Sequence, residues 1–219
     1  MSLRQMLQIN TVFLTHSHLD HVALLPMLAD AIGPRRKRPL IVYGPQATLV
    51  ILRENVFNFR LWPDYTRFPS PEKPYVEIRP VTVGGHPIEM PRQRKITPLP
   101  VHHAVPAVAY QFDSGQASFV FSGDTTYYEP FWERLNEIGN LHYLMIETTF
   151  LNKDVAASES AGHMRPELVA KGLSQLKRPV RVLITHMEPG NEEAIMSEIR
   201  IAAGQFNPER IARGQTFEF

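Results

Sequence analysis

Hydrophobic positions along this chain fall into short runs that switch between two periods, and the switches mark most of its elements. Mostly apolar runs at Thr11 to Leu14, Leu40 to Tyr43, Ala117 to Phe121, Leu141 to Ile146 and Val180 to Ile184 predict buried strands. From Tyr75 onward the pattern is also strand-like, with Val76 to Ile78, Val81 to Val83, a Gly84-Gly85 turn, Ile88 to Met90 and Lys95 to Val101. Between these runs lie stretches that predict helices. They are Val22 to Ile32, interrupted near Pro26 and ended by Gly33-Pro34; Ala47 to Phe57, with Leu49, Leu52 and Val56 on one face; Tyr127 to Ile138, with Phe131, Leu135 and Ile138 inward; Pro166 to Leu176; and Glu192 to Ala203. A short strand, Thr216 to Phe219, is expected to close the chain. Strands alternating with helices predict an α/β protein.

One segment fits neither period. Asn55 to Pro69 carries five aromatic residues, two arginines and two prolines, so regular structure is excluded over most of its length. Two readings follow. The segment forms a lid in which Phe59, Trp62 and Tyr65 stack on a planar base with an arginine near a phosphate, or it plugs a hydrophobic edge of the domain.

Composition narrows the class. A chain of 219 residues is long enough for one well-packed domain, and residues 1–219 are expected to form one. Its 23 basic and 22 acidic residues give a net charge of +1, so bulk attraction to nucleic acid or to a membrane has no support, although a local basic patch is compatible with it. Arg35-Arg36-Lys37-Arg38 is such a run, expected to be a solvated loop rather than a grip on phosphates. The chain has no cysteine, which excludes disulfides, thiolate metal sites and a cysteine nucleophile. No apolar run has the length of a membrane span, and Met1 to Asn10 lacks the basic-then-apolar pattern of a signal peptide, so a cytoplasmic protein is expected.

The candidate chemistry sits where predicted strands end. Thr15-His16-Ser17-His18-Leu19-Asp20-His21 follows the first of them. Residues two apart on an extended segment point the same way, so His16 and His18 can address one cation while the next turn aims Asp20 and His21 elsewhere. Imidazole with carboxylate suits zinc, iron or manganese rather than calcium. Further strand ends deliver His102-His103, Ser122-Gly123-Asp124-Thr125, Glu147-Thr148-Thr149-Phe150 and Thr185-His186-Met187. His86, beside a glycine turn, is expected to be a surface residue.

The run from His16 to His21 is identified as the HxHxDH signature of the metallo-β-lactamase fold. His103-Ala104-Val105-Pro106-Ala107, Ser122 to Thr125, Glu147 to Phe150, Ala161-Gly162-His163-Met164 and His186 resemble later motifs of the same family, in the same order. Glu147 to Phe150 departs from the usual form, with Ile146 where a histidine is common, and His163 lacks the Ser-Thr that often follows. The resemblance implies an αββα four-layer sandwich. Only Met1 to Thr15 precede the first motif, where the family has several strands, so part of the N-terminal sheet is expected to be missing. An exposed sheet edge invites pairing, and a homodimer is expected.

The resemblance further implies two divalent metal ions, zinc foremost, with manganese or iron as alternatives. His16, His18 and His103 would hold one, Asp20, His21 and His186 the other, and Asp124 would bridge them, with His102 in a neighbouring place. Glu147 would orient His163 and keep it protonated, and Asp20 would also orient the attacking water. The implied activity is hydrolysis of a phosphodiester by metal-activated hydroxide, with a 3′,5′-cyclic nucleotide as the small-molecule substrate. An RNA endonuclease resembling the tRNA-maturation branch is an alternative, disfavoured because no Gly/Pro/Lys-rich arm is evident. A lactone or thioester hydrolase of the same fold is another, disfavoured because those branches usually lack the Glu/His pair. No membrane partner is expected.

Overall fold

The computed structural model describes all residues from Met1 to Phe219, and they form two compact units, Met1–Thr82 and Val83–Phe219. No helix is long and apolar enough to cross a membrane.

The first unit is built on a three-stranded parallel sheet of β1 (Thr11–Phe13), β2 (Leu40–Pro45) and β3 (Val76–Val81), in that order. Helix α1 (Leu3–Met6) precedes it, started by a capping box in which Ser2 and Gln5 satisfy each other's backbone donors. The helical stretch expected from Val22 is two helices, α2 (Leu19–Val22) and α3 (Leu24–Ile32). The break falls at Ala23 rather than at Pro26, because Pro26 occupies the first turn of α3, where its missing N–H is not needed. After β2, α4 (Gln46–Ile51) runs into a π-helical turn, Leu52–Val56. The core of this unit gathers Leu25, Ala29 and Ile32 from α3, Leu40 and Val42 from β2, Leu49, Leu52, Val76, Phe57 and Tyr65.

That membership decides between the two readings of the aromatic segment. Phe57 and Tyr65 are buried and Trp62 packs against the same cluster, so the segment plugs the unit's core. Tyr65 is therefore corrected as a stacking residue. Its ring packs among Phe57, Phe68 and Tyr75, its hydroxyl donates to Asp30, and burial followed by the Asp30 contact pushes its pKa up to about 12. Phe59 alone of the three proposed stacking residues is exposed.

The second unit holds a mixed seven-stranded sheet in the order β10-β9-β8-β7-β6-β5-β4. Strands β4 (Ile88–Met90), β5 (Arg94–Pro100), β6 (Val108–Asp113) and β7 (Ser118–Phe121) pair antiparallel in succession; β8 (Leu141–Glu147), β9 (Arg181–Thr185) and β10 (Glu209–Arg210) continue parallel to β7. The parallel half is joined by helices α5 (Glu129–Glu137), α6 (Val155–Ala161), α7 (Pro166–Leu173) and α8 (Glu192–Ala203). Alternate residues Val120, Leu144, Ile146, Val182 and Ile184 pack against Phe131, Trp132, Val169, Leu173, Ile195 and Ile199 of the helices. Trp132 lies on Gly172 of α7, where a Cβ would come 2.0 Å from Cζ2 of the indole. This close approach explains a glycine inside a helix.

The final strand lies at Glu209–Arg210, not at Thr216 to Phe219. The alternating Phe217 and Phe219 that suggested a strand instead lay their rings on Phe119 and Tyr143 of the sheet. Helix α6 was not legible in the sequence: its residues, VAASESA, carry no apolar stripe.

Candidate metal centre

In the first unit, β1 ends beside the imidazole loop. Leu14 N–H donates to the Tyr43 carbonyl at 2.8 Å, which fixes the exit of the chain before Thr15. His16 is fully buried, and its Nδ1 lies 3.0 Å from the Thr15 hydroxyl. Its Nε2 comes 3.1 Å from Nδ1 of His18, with the two rings edge to face. The His21 ring centroid is 4.1 Å from that of His16, and His21 Nε2 lies 3.2 Å from Oδ2 of Asp20, whose side chain is 64% exposed.

The second unit brings together residues far apart in sequence. Strand β5 runs in the same direction as β7, β8 and β9, since two antiparallel steps separate it from β7. His103, Asp124, Glu147 and His186 therefore leave the same edge of the sheet, each at or just beyond a strand's C-terminal end. Functional groups of open α/β sheets gather at that edge. His103 is buried and holds its Nδ1 3.0 Å from the Gly162 carbonyl, while the neighbouring His102 is exposed, with its ring near Tyr128. Oδ2 of the buried Asp124 lies 3.9 Å from Nε2 of His103 and 3.5 Å from Nε2 of His186.

Behind this row, Glu147 is fully buried and densely bonded. Its Oε1 accepts from the Thr125 N–H at 3.0 Å and from His163 Nδ1 at 2.7 Å. Its Oε2 accepts from the N–H and hydroxyl of Thr149 at 3.2 and 3.0 Å and from the Met164 N–H at 3.2 Å. Burial pushes the Glu147 carboxyl pKa up, and the His163 ring beside it pulls it back. The His163 and His186 rings stack with centroids 5.4 Å apart, and Glu147, His163 and His186 have donor atoms within 4.8 Å of one another.

Three side chains that sequence reasoning left without a role complete the network. The Thr149 hydroxyl lies 2.9 Å from His186 Nδ1, 2.9 Å from the His186 carbonyl and 3.3 Å from His163 Nδ1, in addition to Glu147. It helps to hold His186 in a left-handed backbone conformation at φ +54, one that side chains other than glycine seldom adopt. Thr15 plays the simpler part at His16, and the Thr125 hydroxyl ties the strand ends together by donating to the His102 carbonyl at 3.2 Å. Thr149, two residues beyond Glu147 at a strand end, offered the one readable signal. Residues at that spacing share a side.

These contacts fix proton positions. His163 Nδ1–H goes to the Glu147 carboxylate and His103 Nδ1–H to the Gly162 carbonyl, which only accept; the Thr149 hydroxyl, its one proton directed to the Glu147 carboxylate or the His186 carbonyl, accepts from His186 Nδ1–H. Holding Nδ1–H in this way leaves Nε2 of His103 and of His186 with its lone pair outward, the tautomer a metal ligand needs. In the first unit, His16 Nε2 and His18 Nδ1 face each other at 3.1 Å. Two nitrogens each about 2.0–2.1 Å from one zinc ion at near-tetrahedral angles stand about 3.3 Å apart. The imidazole and carboxylate donors present therefore fit divalent metal ions, with the choice among zinc, manganese and iron left open by the ligand types.

Comparison with known proteins agrees with this site. Residues 2–187 match the family model described as the beta-lactamase superfamily domain. A probable 3′,5′-cyclic-nucleotide phosphodiesterase of Yersinia pestis is 27% identical over 221 residues, covering 88% of this chain and 62% of that protein. Ribonuclease Z of Methanococcus maripaludis is 35% identical over 107 residues, covering 48% of this chain and 32% of its own length. Among solved structures, unliganded yeast PDE1 superposes with a TM-score of 0.83 at 20% identity, over 95% of this chain and 68% of the other. The chain thus spans about three fifths of the Yersinia relative.

Proposed function

The chain belongs to the beta-lactamase superfamily, and from that premise we propose that it is a metal-dependent hydrolase of phosphodiesters, with a 3′,5′-cyclic nucleotide as substrate. The observation that carries this reading is the buried Glu147 carboxylate fixing His163 at 2.7 Å beside Asp124 and His186. Such a pair supplies a positioned proton donor next to anion-stabilising groups, as expulsion of an unactivated alkoxide from a phosphodiester requires.

Seven side chains are assigned to the metals: His16, His18 and His103 to one ion, Asp20, His21 and His186 to the other, with Asp124 shared. The family resemblance supports that division. Two divalent ions, zinc foremost, would supply Lewis acidity and a nucleophile at neutral pH. The chain's own residues do the rest. Asp20, largely exposed, orients water. His163, with Nδ1–H held by Glu147, has Nε2 from which to hand a proton to the departing ester oxygen. The Thr149 hydroxyl keeps His163 and His186 at one spacing.

The relatives bear on the substrate through their names, a cyclic-nucleotide phosphodiesterase over most of this chain and a ribonuclease over about half of it. Both cut phosphodiester bonds, and the longer alignment favours the cyclic nucleotide. Cytoplasmic location and a homodimer complete the reading; a monomeric mass in solution overturns the dimer.

The test is hydrolysis of 3′,5′-cyclic AMP and cyclic GMP by protein loaded with zinc or manganese, beside bis-p-nitrophenyl phosphate, a short RNA and a lactone. Metal-dependent opening of a cyclic nucleotide is the expected result. Turnover of RNA alone moves the assignment to an endonuclease, and turnover of the lactone alone overturns the phosphodiester reading.

A further inference from the structure

The basic run Arg35 to Arg38 has no part in the hydrolytic site, yet it is not an isolated solvated loop. Its residues Arg36, Lys37 and Arg38 form part of one wall of a cleft of about 910 Å³ in the first unit, and the other wall is the segment that leads into β3. In the register of the sheet, Leu40 of β2 pairs with Val76 of β3, so residues 36–39 and 72–75 lie side by side at the strands' N-terminal ends. The imidazole loop follows the C-terminal end of β1, which is parallel to β2. Cleft and imidazole loop thus lie at opposite ends of one sheet, separated by about the length of β2, six residues or about 20 Å.

The walls are rigid. Pro34, Pro39, Pro69, Pro71 and Pro74 line them, and the Tyr75 ring lies so close to Gly33 that a Cβ there would come 2.5 Å from Cδ2. Arg36 is anchored by donating to the carbonyls of Leu7, Ile9 and Arg38 and to the Asn10 side chain, none of which is a carboxylate. Its charge is held in place and not neutralised. Lys37, Arg38 and Lys73 are exposed lining residues and form no ion pair. Of the two lining carboxylates, Glu77 is engaged by Arg79 at 2.7 Å, which leaves Glu72 against four cations. A chain with a net charge of only +1 concentrates positive charge here, in a concave and preorganised place.

We propose that this cleft, lined by Lys37, Arg38 and Lys73 beside the anchored Arg36, binds a ligand carrying more than one phosphate group, apart from the hydrolytic site and independently of any metal there. Lysine and arginine on phosphate are the natural pairing, and the excess charge calls for more than a single phosphate. The phosphates can come from an oligonucleotide backbone or from a free polyphosphate.

The test is anisotropy of a fluorescein-labelled single-stranded 12-mer with the full chain, metal-loaded, between 50 and 200 mM salt. Two double variants carry the same charge change: Lys37→Glu/Arg38→Glu in the cleft, and Lys177→Glu/Arg178→Glu on the second unit. The cleft variant is expected to bind about tenfold more weakly or worse, with the log–log salt slope reduced by about 1.4. The second-unit variant should stay within about twofold of the parent, and both should hydrolyse bis-p-nitrophenyl phosphate as the parent does. Competition by inorganic pyrophosphate at matched ionic strength separates the sources: displacement assigns the cleft to small polyphosphates, and failure to displace assigns it to a polymer backbone. Absence of binding of the 12-mer by anisotropy and of pyrophosphate by titration calorimetry, or equal loss in the two variants, overturns the proposal.

Discussion

The two units solve the same problem, aiming imidazoles and a carboxylate, in opposite ways. In the first, the loop Thr15 to His21 supplies every donor from consecutive residues, and one hydroxyl steadies one ring. In the second, His103, Asp124, Glu147 and His186 come from the ends of four strands, and the buried Glu147 carboxylate anchors the neighbouring Thr125, Thr149, His163 and Met164. The first arrangement depends on local geometry and the second on the whole sheet. The two carboxylates show the contrast most plainly. Asp20 is 64% exposed and pairs with His21, whereas Glu147 is fully enclosed by His163, Thr125, Thr149 and Met164.

The largest effect expected from breaking this comparison is at Asp124. Replacing it with alanine should lower phosphodiester hydrolysis by about a thousandfold or more, the size of several kcal/mol of lost Lewis-acid stabilisation. Elemental analysis of the purified variant should show the metal content reduced. Retained metal with unchanged turnover would mean that the loop set suffices and that the strand-end set is only structural.

Next in size is His163→Ala, which should cost about 10² to 10⁴ in kcat on a cyclic nucleotide, the range for a lost general acid. The same variant should lose far less on bis-p-nitrophenyl phosphate, whose leaving group needs no proton. Equal losses on the two substrates would assign His163 to binding instead of to proton transfer. Glu147→Gln should lie lower, at about 10- to 100-fold, as for a group that orients a histidine without touching substrate. Glu147→Ala tests stability instead. It strands the N–H groups of Thr125, Thr149 and Met164 in the interior, at about 1–3 kcal/mol for each that finds no substitute, and thermal unfolding should shift accordingly.

How much of this was legible in the sequence follows the same division. The loop could be read directly, because its spacing is its geometry: His16 and His18 two apart on an extended segment do face one another. Most strands and helices were legible too, since one face of each is buried and the apolar period shows it. The failures have specific causes. Thr216 to Phe219 alternates like a strand, but its phenylalanines cover Phe119 and Tyr143 without pairing into the sheet. The segment VAASESA forms α6 without an apolar stripe, so periodicity had nothing to report. Tyr65 looked available for stacking because sequence does not reveal that Asp30, distant along the chain, takes its hydroxyl. The strand-end set was legible as residues through the family resemblance, but its bonding was not. Thr149 gains its importance only when β8 and β9 lie side by side.

The smallest expected effect makes the sharpest version of the comparison, because the same chemical change can be made in both units. Thr15→Val and Thr149→Val each remove one hydroxyl and keep the shape of the side chain. Thr15 holds Nδ1 of His16 alone, so its loss should weaken metal binding or turnover by about tenfold, the lower end for a partner of a metal-ligating histidine. Thr149 touches Glu147, His163, His186 and the strained backbone of His186 together, so its loss should approach about a hundredfold. A double variant measures their coupling. The Thr15 hydroxyl meets His16 and the Thr149 hydroxyl meets Glu147, His163 and His186, so no imidazole is held by both, and for such a pair the two losses should multiply, with a coupling of no more than about 0.5 kcal/mol. A larger coupling would mean that the loop and the strand-end set position their imidazoles cooperatively. Equal losses in the two single variants would mean that the crowding around Thr149 adds nothing beyond an ordinary partner.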